Sequence, residues 1–251
     1  MSKGYSAFAY FYDALTENIS YKDRAEYFDR LIKKHGGTKN LLLDLACGTG
    51  SLSEELSRLG YDVIGVDNSP EMLSEAMDKK IESGLNIQYL CQDMTEIDMF
   101  GTIDVTICAL DSLNHLQSFE DIERTISRVS LFCEPKGLFI FDVNTPYKHE
   151  KILGDNTFVY DTEQVYCVWQ NELQTDEKTV EISLDFFIPA SDDAPIYERE
   201  SEQFTECAYS GAEWEEMLKN AGFSVLGVFD GYTENPLTDA SERAVYAVRK
   251  D

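Results

Sequence analysis

Residues 41–56, LLLDLACGTGSLSEEL, constrain the fold more than any other stretch of this chain. An apolar run broken by one acid passes through two close glycines into a segment whose leucines have helical spacing. A buried strand, a glycine turn and an amphipathic helix in that order make the first half of a βαβ unit. The turn sets the unpaired N–H groups of a helix start beside backbone bare of side chains, where an anionic or nucleotide-like ligand can sit.

The same alternation continues to about residue 145. An N-terminal helical region (5–35) ends at Gly36-Gly37 and precedes the strand 41–45. A helix bearing Leu52, Leu56 and Leu59 stops at Gly60, and YDVIGVD (61–67) gives a second strand. SPEMLSEAMDKKIESG (69–84) starts on Ser69 and Pro70 and stops on Gly84, as a capped helix does. NIQYLCQD (86–93), IDVTICAL (103–110) and GLFIFDV (137–143) supply three more strands, with a helix opening at Ser118 and Asp121. The character then changes: VEISLDFFI (180–188) alternates strictly, and FVYDTEQVYCVWQNEL (158–173) and IYERESEQFTECAY (196–209) are strand-like, joined through TDEK and ASDDAP turns. With no room for crossover helices this stretch is an antiparallel insert. A capping box from Ser210 to Glu213 reopens the α/β pattern, and 223–232 and 243–250 end the chain as strands. The expected organisation is a cofactor-binding domain of residues 1–147 and 210–251 with an N-terminal helical lid. Residues 148–209 form an inserted antiparallel lid or substrate subdomain.

Charge narrows the partners. Lysine and arginine total 21 against 47 aspartates and glutamates, a net charge of −26. No basic cluster with interleaved aromatics offsets it, so nucleic acid and anionic membrane surfaces are excluded as partners. No apolar run nears the roughly 20 residues of a membrane span, and the N-terminus lacks the parts of a secretory signal, so a cytoplasmic location is expected. Cys47, Cys91, Cys108, Cys133, Cys167 and Cys207 lie far apart with no CxxC pair, and His35, His115 and His149 are isolated. Neither set has metal-ligand spacing, so no metal is expected.

Three acids narrow the ligand. The dinucleotide fingerprint needs a third glycine where this chain has Ser53, and no lysine follows to make a P-loop. Asp44 would face a pyrophosphate and suits a cationic or ammonium-bearing ligand instead. Asp67, at the end of the second strand, can accept from both hydroxyls of a ribose. Asp93 and Met94 place an acid and a soft apolar side chain where an adenine ring can lie. Ligands bind at the carboxyl ends of parallel strands, and these acids end successive strands.

The segments DLACGTG (44–50), VIGVDNSPEML (63–73), QDM (92–94), IDVTICALDSLNHL (103–116) and PKGLFIFDV (135–143) resemble the class I S-adenosylmethionine-dependent methyltransferases in order and spacing over essentially the full chain. The resemblance implies an α/β fold with a doubly wound, seven-stranded, mostly parallel Rossmann-like sheet whose last strand is antiparallel. It implies S-adenosyl-L-methionine as cofactor, with Asp44, Ala46, Gly48 and Gly50 lining its methionine part. It places Asp67 on the ribose, Asn68 and Met72 beside the adenosine, Asp93 and the Met94 backbone on the adenine, and Leu110 past the sulfonium.

The methyl acceptor is less sharply drawn. The loop ALDSLNHL (109–116) holds Asp111 and His115 where a catalytic base would point into the site. This loop, YDALT (12–16) and the insert resemble small-molecule N-methyltransferases, including those acting on amino sugars, in which the positions of His115 and Tyr12 face acceptor or sulfonium. Packing of the following helix by His115, and a core role for Tyr12, are the plainer alternatives. The absence of an N/D-P-P-Y/F stretch argues against adenine or glutamine as acceptor. A small molecule methylated at nitrogen or oxygen is the expectation. A nicotinamide-dependent oxidoreductase and a non-enzymatic cofactor-binding interaction module stand as alternatives. Tyr160, Tyr166, Trp169, Phe187 and Tyr197 of the insert either roof the cleft or form a local core or a homodimer contact.

Overall fold

The computed structural model describes residues 6–16, 19–176, 178–190 and 196–251. The parallel strands β1 (Leu41–Leu45), β2 (Asp62–Asp67), β3 (Ile87–Cys91), β4 (Ile103–Cys108) and β5 (Cys133–Asn144) follow the apolar runs of the sequence. Four further strands come from the insert: β6 (Thr157–Asp161), β7 (Tyr166–Leu173), β8 (Thr179–Pro189) and β9 (Tyr197–Cys207). The chain ends in β10 (Phe223–Asp230) and β11 (Arg243–Lys250). The main sheet is seven-stranded in the order β10-β11-β5-β4-β1-β2-β3, and β11 runs antiparallel to both neighbours. The seven-stranded, mostly parallel α/β sheet with a separate antiparallel sheet is therefore as expected.

Each strand feeds both faces of the main sheet. Phe139, Phe141 and Val143 pack with Ile122, Ile126 and Val129 of α5 (Phe119–Phe132) and with Trp214, Met217 and Leu218 of α6 (Gly211–Asn220). Leu138 and Ile140 face the other way, toward Phe28, Leu31 and Ile32 of α2 (Tyr21–Lys34) and Leu52 and Leu56 of α3 (Ser51–Arg58). Burying such side chains stabilises the layer by about 1.5–3 kcal/mol each.

Local signals explain the boundaries. The N-terminal helical region divides into α1 (Ser6–Leu15) and α2, where the Ser20 hydroxyl accepts from the Asp23 N–H and starts the second helix. The fourth helix, α4 (Pro70–Ser83), has Ser69 as its cap and stops at Gly84 in the left-handed conformation. The stretch read as one strand-like segment over 158–173 is a hairpin. Its turn at 162–165 has neither glycine nor proline and is closed by the Thr162 hydroxyl, which accepts from the Val165 N–H at 3.0 Å. The ASDDAP turn lies mostly outside the described residues.

The insert is a four-stranded antiparallel sheet in the order β6-β7-β8-β9. Its inner face carries Val180, Ile182, Leu184 and Phe186 and packs on Phe8, Phe11 and Leu15 of α1. Among the insert's aromatics, Tyr160 and Trp169 join this core, whereas Tyr166 and Tyr197 are exposed on the outer face and Tyr166 packs edge-on against Phe187. The aromatic that reaches the cleft side is Phe204, with its ring centroid 5.1 Å from that of His115 and 6.0 Å from that of Phe8. Among the described residues no helix is long and apolar enough to cross a membrane.

Candidate active site

Strands β1 and β4 are neighbours, and the chain leaves them in opposite directions across the sheet, which opens a crevice at their carboxyl ends. The backbone is strained on both walls. Ala46 after β1 (φ 57°) and Leu110 and Asp111 after β4 (φ 59° and 55°) occupy the left-handed region. For non-glycine residues this costs roughly 1–2 kcal/mol each, and it persists where surrounding contacts dictate it.

Two joined cavities fill the crevice. The larger, about 850 Å³ of open space, is lined by Asp67, Asn68, Met72, Asp93, Met94 and His115 among others. The smaller, about 340 Å³, runs past Asp44, Cys47, Thr49 and Tyr21. Tyr12, Ala46, Gly48, Leu110 and Ser112 border both. The structure thus brings Tyr12, Asp44, Ala46, Gly48, Asp67, Asn68, Met72, Asp93, Met94, Leu110 and His115 to one cleft. Gly50 and Asp111 stand behind its walls.

The two glycines differ in what they permit. A Cβ on Gly48 would meet nothing within 4 Å and would stand in the open cleft. A Cβ on Gly50 would lie 2.4 Å from the Tyr89 hydroxyl and 3.0 Å from Ala76 Cβ, so Gly50 lets α3 approach β3 and α4.

The acids of the rim are held in different ways. Asp44 is buried, and the Ser53 hydroxyl donates to it at 2.5 Å; burial pushes its carboxyl up to about 7. No lysine or arginine pairs with it among the described residues, which leaves a cation-shaped deficit in the wall. Asp67 accepts from the Gly48 N–H at 2.8 Å and the Ser69 N–H at 2.9 Å, and burial raises its carboxyl. Each oxygen of Asp67 keeps a lone pair for a ligand. Asp93 accepts from the Thr95 N–H and hydroxyl through one oxygen, at 2.8 Å each. Burial also keeps the Tyr12 phenol neutral.

The loop after β4 is set by groups that the sequence reading did not single out. The buried Asp142 carboxylate accepts from the N–H groups of Leu110 and Asp111, from the Tyr232 hydroxyl and from Arg243. Arg243 also pairs with Asp111 at 2.7 Å, and the Asn144 amide donates to Asp111 at 2.9 Å. Burial by itself would raise the Asp111 carboxyl, but the charges of Arg243, Lys148 and His115 outweigh it and hold Asp111 well below the usual carboxylate range. His115 keeps the open side of the loop: its Nε2 is 3.9 Å from the carboxylate of Glu206, on β9. The signal for Asp142 was a lone acid inside the apolar run GLFIFDV.

A bound S-adenosylmethionine suits this cleft. The open space at Gly48 admits a ligand against the backbone, the unpaired Asp44 carboxylate suits an ammonium, and Asp67 has acceptor capacity for hydroxyls. Residues 42–137 match the family model described as a methyltransferase domain. The chain is 34% identical to YqeM of Bacillus subtilis (strain 168) over 247 residues, 98% of this chain and 97% of that one. It superposes on the crystal structure of an S-adenosylmethionine-dependent methyltransferase from Clostridium acetobutylicum ATCC 824 with a TM-score of 0.87 and 33% identity, covering 97% of this chain and 98% of that one. The sugar N-methyltransferase KedS8 from Streptoalloteichus sp ATCC 53650 shares the fold at 17% identity, with a TM-score of 0.78 and coverage of 100% and 95%. Together with the strand order and the glycine turn, these likenesses establish that the chain belongs to the class I S-adenosylmethionine-dependent methyltransferases.

Proposed function

We propose that this methyltransferase acts on an amine nitrogen of a small molecule that carries no carboxylate or phosphate. One observation carries the reading: among the described residues, those lining the two cavities include Asp44, Asp67 and Asp93 and no lysine or arginine. An anionic acceptor would enter a cleft of its own charge with no cation to receive it, whereas an amine is attracted. The description of KedS8, which shares the fold, as a sugar N-methyltransferase agrees with methylation at nitrogen.

S-adenosylmethionine, when bound, supplies a methyl group on a sulfonium, so the leaving sulfur needs no protonation. The chain's own part is then chiefly alignment, which can lower a barrier by about 7–11 kcal/mol. Asp44, Ala46, Gly48 and Gly50 shape the methionine end, with the Asp44 carboxylate facing the ammonium. Asp67 holds the ribose hydroxyls, Asn68 and Met72 flank the adenosine, and Asp93 with the Met94 backbone holds the adenine amino group. Leu110 and Tyr12 border the junction of the two cavities and confine the acceptor there. The insert (148–209) and α1 form the roof, and residues 1–147 and 210–251 the cofactor-binding body. Asp111, ion-paired to Arg243, shapes the loop, and His115 receives the proton that the acceptor gives up.

The test is a methyl-transfer screen. Purified protein and S-adenosylmethionine are incubated with size-matched primary and secondary amines, phenols and amino acids, and S-adenosylhomocysteine formation is followed. Turnover concentrated in the amines is expected. Turnover confined to phenols or to amino acids would overturn the acceptor assignment.

A further inference from the structure

Glu206 is a buried acid at the end of β9, 3% exposed, and it lies between two imidazoles. Its Oε1 is 3.9 Å from His115 Nε2, and its Oε2 is 3.5 Å from Nε2 of the fully buried His149. The Asn144 amide donates to Oε2 at 2.9 Å. Asn114, next to His115, fixes the spacing: its amide donates to the Cys207 carbonyl at 2.8 Å and its carbonyl accepts from the Asn144 N–H at 2.9 Å. The loop carrying His115 is thereby clamped to the end of the inserted strand that carries Glu206.

The proton count of this group follows from its partners. His149 Nδ1 is 3.0 Å from the Lys178 carbonyl, which can only accept, so Nδ1 carries a proton. His149 Nε2 then faces Glu206 Oε2, and a lone pair opposite a carboxylate would repel. A proton on either His149 Nε2 or Glu206 Oε2, which lie 3.5 Å apart, relieves that repulsion and keeps the buried acid compensated. Among the described residues no three acid, imidazole or thiol groups are placed to hold a metal ion.

We propose that Glu206, held by His149 and Asn144, is the positioning residue that makes His115 the proton acceptor of the methyl-transfer reaction. This rests on the amine reading above. An amine that enters as an ammonium gives one N–H proton to the His115 ring, the N–H electron pair returns to nitrogen as the attacking lone pair, and the Nε2 side of the resulting imidazolium faces the Glu206 carboxylate. An opposite charge at this range favours the protonated ring. The base is thus assembled from two parts of the chain, the loop after β4 and the insert. The charged groups around the His115 ring are Glu206 on β9, His149 and Lys148 beyond it, Asp111 on its own loop with Arg243 of β11, and Asp67 at the end of β2.

Ring titration by NMR tests this without an acceptor. The chain has three histidines, so labelled imidazoles give three assignable signals. The full chain is titrated with S-adenosylhomocysteine bound. In Glu206→Gln the His115 ring is expected to lose roughly tenfold in proton affinity, and Glu206→Asp to recover part of it. In His149→Gln, which leaves the Glu206 charge unshared, His115 is expected to bind its proton more tightly. An unmoved His115 curve in either variant, with S-adenosylhomocysteine bound as in the parent chain, overturns the proposal. Loss of S-adenosylhomocysteine binding by the parent chain would fail the cofactor reading instead, and a negative amine screen would fail the acceptor reading alone.

Discussion

The carboxylate of Asp142 accepts the backbone N–H of Leu110 at 2.8 Å, and its second oxygen takes the next N–H, that of Asp111, at 3.1 Å. One buried acid therefore pins two consecutive residues in the left-handed region, and Tyr232 and Arg243 hold the acid in turn. Asp142→Asn removes the charge and leaves Arg243 partly uncompensated among buried groups. The expected loss is about 3 kcal/mol of stability, read from urea unfolding. Unchanged stability would mean that the Asp111 ion pair alone satisfies Arg243.

Gly48 and Gly50 make opposite predictions although they stand two residues apart. Gly50→Ala drives a methyl group into the Tyr89 hydroxyl at φ 75° and should cost about 1–3 kcal/mol of stability. Gly48→Ala meets no protein atom, so its thermal midpoint should fall by less. Its methyl group stands in the cleft, so it should weaken S-adenosylhomocysteine binding more than its stability loss explains. Calorimetry and thermal melts on both variants check the contrast, and equal effects on both readouts would show that the open space at Gly48 is not where the ligand lies.

The main sheet was legible in the sequence because each strand is a short apolar run closed by a glycine, proline or capping residue. Gly84 and Ser69 bound α4 where the sequence placed its ends. The hairpin at 162–165 was not legible, since a threonine hydroxyl closes it where a glycine or proline would have marked it. At the site, the acids at or just beyond the carboxyl ends of β1, β2 and β3 could be read because strand ends are read from hydrophobic pattern. Asp142, Asn144, Glu206 and Arg243 could not, because their roles come from pairings across β5, β9 and β11, far apart in sequence. The interior acid of GLFIFDV was the one local hint, since a charge inside a buried strand must find partners.

Asp67 holds the glycine turn and the start of α4 together through the Gly48 and Ser69 N–H groups. Asp67→Ala should weaken S-adenosylhomocysteine binding at least tenfold, since a charged hydrogen bond contributes about 1.5–3 kcal/mol. Asp67→Asn should weaken it less, because the amide carbonyl still accepts. Parent-like affinity in the alanine variant, measured by calorimetry, would remove the ribose role.

Asp44 makes cofactor affinity pH-dependent. In the folded chain its carboxyl is pushed up to about 7 from the ordinary value of 3.8, because burial disfavours the charge. Below about pH 7 the group is protonated and offers an ammonium no counter-charge. Affinity for S-adenosylhomocysteine should therefore rise as pH increases from 6 to 8, and Asp44→Asn should flatten that rise. The stability linkage has the opposite sign. Between about pH 4 and 7 the folded state binds this proton and the unfolded state does not, so the group's contribution to stability declines as pH rises through that window. Asp44→Asn should then be relatively more stable at pH 8 than at pH 5, compared with the parent chain. Calorimetry and urea unfolding at the two pH values test both signs, and an affinity slope that survives Asp44→Asn would assign the titration to another group.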